Sequence, residues 1–391
     1  MKYNFDKVID RSGTSAEKVE GLKHIWGRTD LIPLWVADMD FATAPFVTDA
    51  IRKRCENEVL GYTGKPDSYY NAIINWVKQR YDLIVTKEVI NFVPGIVPGI
   101  GMAMNCFTQK GDKVMIQPPV YHPFAWVTTR NERTLVINPL KWENGMYRMD
   151  LDAFREQIKG CKLFILCNPH NPGGVVWTEA ELRAIADICY DEKVLVFSDE
   201  IHADLTLPPH THRPFATVSE KARMNSVTFM SPSKAFNMPG LSASHALIFN
   251  EDLRKRFRIY MDAGELDMGD VFAFLSVEAA YSHGTEWLDQ CLAYIQGNID
   301  FVDEFLKKHA PKIKAIRPEA SYLVWLDCRE LELSQKDLNE FFVDKAHLAL
   351  NDGEMFGKEG IGFMRLNVAS PRCIIEKAMK QLADAYQLYI K

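Results

Sequence analysis

Ser231-Pro232-Ser233-Lys234-Ala235-Phe236-Asn237 follows the apolar run Val227-Thr228-Phe229-Met230 and precedes Met238-Pro239-Gly240-Leu241. A β-branched and aromatic run that stops at Ser-Pro reads as a buried strand ending in a loop, which delivers Lys234 to the rim of a sheet. Lysines are ordinarily solvated, and a loop lysine snorkelling to the surface is the plain reading. The chemical reading differs. An amine desolvated at a strand end has its ammonium form disfavoured, and Ser231 and Ser233 can donate to an anionic group beside it. A cofactor carrying both an aldehyde and a phosphate needs those two features together.

The 391 residues, 47% of them apolar, suffice for two or three domains and at least one large core. A net charge of -6 without long single-sign blocks argues against a nucleic-acid or membrane-surface partner and favours a small-molecule substrate. The eight cysteines show no C-x-x-C spacing, and several sit in apolar runs such as Leu163-Phe164-Ile165-Leu166-Cys167, so reduced core thiols are expected. The first residues, Met1-Lys2-Tyr3-Asn4-Phe5-Asp6-Lys7, are too polar for a signal peptide, and the most apolar segment, 92–104, is broken by Pro94, Gly95, Pro98, Gly99 and Gly101. A cytoplasmic location is the expectation.

From residue 89 onward, strand candidates at 89–93, 113–117, 134–138, 162–167, 193–198 and 226–230 mostly alternate with helical patterns. Continuous apolar runs imply strands covered on both faces, hence an α/β domain with a mostly parallel sheet. Thr178-Glu179-Ala180-Glu181 is a capping box for one of the helices. Helices are expected at 47–58, after Pro66 and from about residue 98, whereas 1–46 show little helical periodicity. Within that segment, Leu34-Trp35-Val36-Ala37-Asp38-Met39-Asp40-Phe41 reads as an extended run that packs on a neighbouring surface or lines a pocket.

Ligands of such sheets bind beyond the carboxyl ends of the strands, so the residues just after each strand matter most. After the first comes Pro94-Gly95-Ile96-Val97-Pro98-Gly99-Ile100-Gly101, a turn leading into a helix whose starting amides suit a phosphate. Gly99-x-Gly101 does not complete the dinucleotide fingerprint, because Met104 stands at the third glycine. Tyr121 follows the second strand, where it can stack on a planar ring. Asn168-Pro169-His170-Asn171-Pro172-Gly173 is a dense turn that can aim the Asn171 amide at a ring hydroxyl. Asp199 ends a buried strand and needs a cationic partner, such as a protonated pyridine nitrogen. A metal held by Asp199, His202 and Asp204, with His210 or His212, is the weaker alternative, and no metal is expected.

Taken together, Asn168-Pro-His-Asn171-Pro-Gly, Ser198-Asp199-Glu200-Ile-His202 and Ser231-Pro-Ser-Lys234 resemble pyridoxal-phosphate enzymes of the aspartate aminotransferase fold (fold type I). Leu34–Phe41, Gly61-Tyr62-Thr63 and Lys234-Ala-Phe-Asn-Met-Pro-Gly240-Leu241 are most similar to the carbon-sulfur β-lyases of the cystathionine β-lyase type, related to class I/II aminotransferases. His202 stands where aminotransferases usually carry tyrosine, and Ser242 where they carry a phosphate-binding arginine. The resemblance implies a large cofactor domain over 47–283 and a smaller α+β domain from 284–391 joined by the arm 1–46. It implies pyridoxal phosphate held by Lys234 as an imine, Asp199 at the ring nitrogen, Tyr121 stacked on the ring, and Asn171 and His202 near it. Ser231, Ser233 and the amides of Ile96 and Val97 would hold the phosphate. Tyr62 would reach that phosphate from the second subunit of a homodimer. Ala37, Asn171 and Arg365, the last in the strand-like run Phe363-Met364-Arg365-Leu366-Asn367-Val368, would bind the substrate, with Arg365 on its carboxylate. Lys234, Tyr121 and Asp199 would carry the chemistry: β-elimination of a sulfur amino acid, with transamination as the rival outcome on the same fold.

Overall fold

The computed structural model describes residues 2–390. Its large sheet has seven strands: β1 (Ile90–Val93), β2 (Lys113–Ile116), β3 (Thr134–Ile137), β4 (Cys161–Cys167), β5 (Leu195–Asp199), β6 (Ser226–Met230) and β7 (Ser244–Leu247). They lie in the order β1-β7-β6-β5-β4-β2-β3. The run from β6 to β3 is parallel throughout, and β7 is antiparallel to both of its neighbours. Every residue of β1 and β6 is buried, as uninterrupted apolar strands in a doubly covered sheet should be.

Successive side chains point to opposite faces, and each face has its own helices. On one, helices Ile96–Phe107 and Glu251–Ala263 bring Ile100, Met104, Phe257 and Met261 against Phe197, Val227 and Phe229. On the other, helix Glu179–Asp191 sets Leu182 and Ile185 against Phe164 and Val196. That helix begins with both bonds of the capping box read from the sequence, Glu181 N–H to Thr178 Oγ1 at 3.2 Å and Thr178 N–H to Glu181 Oε2 at 2.8 Å.

The six strands expected from the sequence are all present, with ends displaced by no more than two residues. Three features differ. The helix expected from about residue 98 starts at Ile96, which puts the amides of Ile96 and Val97 inside its first turn, where they have no carbonyl of their own helix to bond. Residues 1–46 contain a helix, Glu17–Trp26, whose buried residues are Lys18, Gly21 and Leu22. A buried face made of a lysine, a glycine and one leucine leaves no apolar period to detect. The seventh strand, β7, was absent from the expectation because its four residues, Ser-His-Ala-Leu, follow a turn rich in serine and glycine.

Strand direction fixes where the site must be. The C-terminal ends of β2, β4, β5 and β6 share one edge, and β1 points the same way because two antiparallel steps restore the direction. β7 runs oppositely, so its beginning, with Ser242 and Ala243 just before it, lies at that edge too.

A second sheet is antiparallel, in the order Lys314–Ile316, Leu323–Asp327, Phe363–Asn367, Asn351–Asp352. Arg365 sits in its interior, paired with Trp325 on one side and Asn351 on the other. Helices Thr285–His309 and Arg372–Tyr389 bury Ile295, Val302, Ile375 and Leu382 in the same cluster as Leu323, Leu326 and Leu366, which also takes in Phe5, Leu34 and Trp76.

Beyond Asn351–Asp352 the chain turns back on itself so tightly that a Cβ on Gly353 would meet Gly360 O at 2.1 Å and Phe363 O at 2.3 Å. This crossing carries Phe356, whose ring lies under the Arg365 guanidinium at 4.8 Å. Because both obstacles are backbone, Gly353→Ala is expected to cost about 3 kcal/mol, the upper end of the usual overpacking range. A urea unfolding midpoint equal to the parent's would refute so close a crossing.

Candidate active site

At the shared edge lies a cleft of about 210 Å3. Residues from β1, β2, β4, β5, β6 and β7 or the loops beyond them line it, together with Ala37. Lys234 is part-buried there, in a turn closed by Phe236 N–H on Pro232 O and Met238 N–H on Ser233 O, both at 2.9 Å. Its amine donates to the carbonyl of Ala37, which also accepts the Tyr322 hydroxyl at 3.0 Å. Burial pulls the Lys234 pKa down to about 8; Asp38 and Asp199 oppose the shift and Arg365 adds to it.

Asp199 closes β5, level with Cys167 of β4. Burial pushes its carboxyl up to about 7 against the Ile201 N–H, which it accepts at 3.1 Å. No cation stands within ion-pair distance of it among the described residues; Lys234 acts only through the weaker long-range field. His202 is buried beside it, its pKa pulled down to about 3 by burial and by the Lys234 and Arg365 cations, and its Nδ1 has no hydrogen-bond partner. Tyr121 lines the same cleft, and burial, with Asp199, raises its phenol.

Arg365 comes from the second sheet. It donates to Asn171 Oδ1 at 3.0 Å, Asn351 Oδ1 at 2.6 Å and Trp35 O at 3.2 Å, all neutral acceptors. Its Nε is buried without a partner, and burial lowers its pKa to about 10. A buried guanidinium with no carboxylate within reach is costly unless an anion is to be supplied.

Of the residues expected from the sequence, Ala37, Ile96, Val97, Tyr121, Asn171, Asp199, His202, Ser233 and Lys234 line the cleft, and Arg365 reaches it through Asn171. Ser231 does not line it: its hydroxyl donates to Ala243 O at 2.7 Å and accepts the Ser233 N–H at 3.1 Å, bracing the loop from behind. Tyr62 is 98% exposed in the loop between Leu60 and Lys65 and is not part of this cleft within the chain. Sequence reasoning missed Ala243 and Ser244, which line the floor beside Ser242, and also Cys167 and Ile201. No sequence signal marks the first two, because the strand Ser-His-Ala-Leu that begins there is short and follows a turn. Among the described residues no group of three or more His, Cys, Asp or Glu side chains is arranged to hold a metal ion, and none of the helices is long and apolar enough to cross a membrane. All eight cysteines are free thiols.

The family described as aminotransferase class I and II matches residues 29–382. The chain belongs to that family. Within it, the chain is 38% identical over 98% of its length to the protein named cystathionine beta-lyase PatB from Bacillus subtilis (strain 168), covering 99% of that relative. A PLP-bound putative aminotransferase from Clostridium difficile 630 superposes with a TM-score of 0.96 at 40% identity, over 98% of this chain and all of the other. The PLP-bound C-S lyase from Staphylococcus hominis follows at 0.91 and 35%, over 99% and 98% of the two chains. The fold is the aspartate aminotransferase-like fold type I.

The raised value of Asp199 has a consequence for stability. A carboxyl whose folded pKa lies above its unfolded one stabilises the fold while protonated, and that contribution is lost as pH rises through about 7. Over three pH units the loss approaches about 4 kcal/mol. Asp199→Asn is therefore expected to raise the melting temperature of the ligand-free chain at pH 8 and leave it unchanged at pH 4. Equal effects at the two pH values would exclude the buried charge as the cause.

Proposed function

We propose that the chain is a pyridoxal-phosphate-dependent carbon-sulfur lyase that performs β-elimination on sulfur amino acids, converting cystathionine to homocysteine, pyruvate and ammonia, with cysteine or cystine as further substrates. The observation that carries the chemistry is the Lys234 amine, drawn toward neutrality by burial in a cleft it shares with an acid that has no ion-pair partner. The full-length relatives named as carbon-sulfur lyases support the substrate class.

The residues present fit the cofactor. There is an amine for its aldehyde, an acid for its ring nitrogen, and a floor of Ser233, Ser242, Ser244 and the Ile96 and Val97 amides for its phosphate. The serines and amides take over at Ser242 the place of the arginine usual in aminotransferases. When bound, the cofactor supplies an electron sink for the carbanion formed at the substrate α-carbon. Tyr121, His202 with its unpartnered Nδ1, and Asn171 line the same cleft, where Tyr121 would pack on the cofactor ring and the other two would meet its polar edge. Asp199, once beside a ring cation, holds its own charge and keeps that nitrogen protonated.

Arg365 takes the substrate carboxylate, exchanging neutral acceptors for an ionic one. The Lys234 amine removes the α-proton, and Lys234 or Tyr121 returns a proton to the departing thiolate. In this reading residues 47–283 form the cofactor domain, and 1–46 with 284–391 form the second, so that Lys234 and Arg365 approach the substrate from different domains. The active unit is a homodimer: Tyr62, with the exposed Val59 and Leu60 beside it, crosses to the phosphate of the other subunit.

Lys234→Ala is expected to abolish pyruvate release from cystathionine, and Arg365→Lys to raise KM for cystathionine by about 10- to 100-fold through loss of the bidentate fork. Cystathionine, cysteine and an amino-acid/keto-acid pair assayed side by side decide the class. Pyruvate with free thiol and ammonia marks the lyase, and keto-acid-dependent transfer alone would replace it with an aminotransferase.

A further inference from the structure

The segment Trp35–Asp38 is held by its carbonyls. Trp35 O accepts from Arg365 at 3.2 Å, Val36 O and Asp38 O each accept from the Asn367 amide at 2.7 Å, and Ala37 O accepts from Lys234 and Tyr322. Four consecutive carbonyls thus rest on side chains that include both cations of the site. On the far side, Asn237, three residues beyond Lys234, bonds the Met39 N–H and C=O at 2.9 and 3.0 Å.

The segment also carries two acids, Asp38 and Asp40, close enough to share partners. Arg11 meets both, at 2.6 and 3.3 Å. Lys18, on helix Glu17–Trp26, meets Asp40 at 2.8 Å and Asp38 at 3.7 Å, and donates to Asp38 O at 3.5 Å. The two cations are not equivalent. Arg11 is 24% exposed, whereas the Lys18 side chain is 0% exposed and lies closest to Asp40. Lys18 is thus a fully buried cation shared by two like-charged acids, one of which, Asp38, has Arg11 as its nearer partner.

We propose that Lys18 is a positioning residue for the Lys234 amine: by neutralising Asp38 and Asp40 it fixes the Ala37 carbonyl against which that amine rests whenever it is not bonded to cofactor. An amine has two N–H bonds and one lone pair. A fixed acceptor for one N–H sets where the lone pair points, which is what both capture of an aldehyde and removal of a proton require. The inference rests on the reading of Lys234 as the imine-forming amine and adds the N-terminal helix to the working site.

The charged and titratable groups around Lys234 are Asp38 from this segment, Asp199 and His202 from the end of β5, Arg365 and Tyr322 from the second sheet, and Tyr121 from the loop after β2. Removing the Lys18 charge leaves Asp38 less compensated, which favours the ammonium form of Lys234. The test strips the full-length protein of cofactor, adds pyridoxal phosphate over a range of pH, and follows the imine absorbance. With Lys18→Met the rate profile is expected to move about one pH unit to the alkaline side. In the reloaded enzyme kcat at neutral pH falls while KM for cystathionine stays within about twofold. Lys18→Arg restores both. Asp40→Asn, which turns Lys18 onto Asp38, moves the profile to the acid side and serves if Lys18→Met does not fold. Unmoved profiles, or a lower melting temperature with no change of profile, overturn the inference. Absence of any imine in the parent protein would instead remove the underlying reading of Lys234.

Discussion

Charge that is buried and left without an opposite charge is the constraint on which this molecule turns. Lys234, Asp199 and Arg365 gather at one edge of the large sheet, and burial shifts each toward its neutral form. Elsewhere buried acids are met by hydrogen-bond donors or by cations. Glu200 accepts from Ser198 Oγ, the Phe215 N–H and His212 Nε2, each at 2.8 Å. Asp204 accepts from Trp76 at 3.0 Å and from Tyr81, and Lys18 and Arg11 answer Asp38 and Asp40. What sets the cleft apart is that three such groups gather at one edge, each disfavoured in its charged form by burial.

That support comes from strand direction. A parallel sheet brings the loops after its strands to one edge, and the inverted β7 adds its own beginning to the same edge. The helix amides therefore meet the acid, the amine and the serines across more than a hundred residues of chain. The arginine alone comes from the second sheet, where its strand neighbours Trp325 and Asn351 fix it. Cation and acid belong to one rigid layer, and the anion-binding group to another.

How much of this was legible in the sequence follows from how each part is encoded. Most strands of the large sheet are covered on both faces and print themselves as continuous apolar runs, so six of the seven were visible, the exposed edge strand β3 among them, and with them the places of Tyr121, Asn171, Asp199 and Lys234. β7 was not, because four residues after a serine-glycine turn are too short a run to stand out. Helix Glu17–Trp26 was hidden for a deeper reason: its buried face is anchored by an ion-paired lysine instead of an apolar stripe. Periodicity records hydrophobic burial only, and the ion pairs that tie Asp38 and Asp40 to Lys18 and Arg11 leave no such trace. Ser231 shows the same limit at a smaller scale. Its place in the motif suggested a phosphate ligand, but its hydroxyl serves the loop itself.

Asp199 and Glu200 make the point most sharply, being the same functional group at adjacent positions and both almost fully buried. The extended backbone turns them to opposite sides at the end of β5. Glu200 meets a histidine, a hydroxyl and an amide, and is thereby consumed in holding the 212–215 segment to the sheet. Asp199 meets one amide and an open cleft, and its carboxyl rises to about 7. Functional group and burial are alike in the two, so neither can be what separates a structural acid from a functional one. The difference is whether the fold supplies the hydrogen-bond donors or leaves a cation to be supplied by a ligand, and a cation arriving beside Asp199 offsets the burial that disfavours its carboxylate.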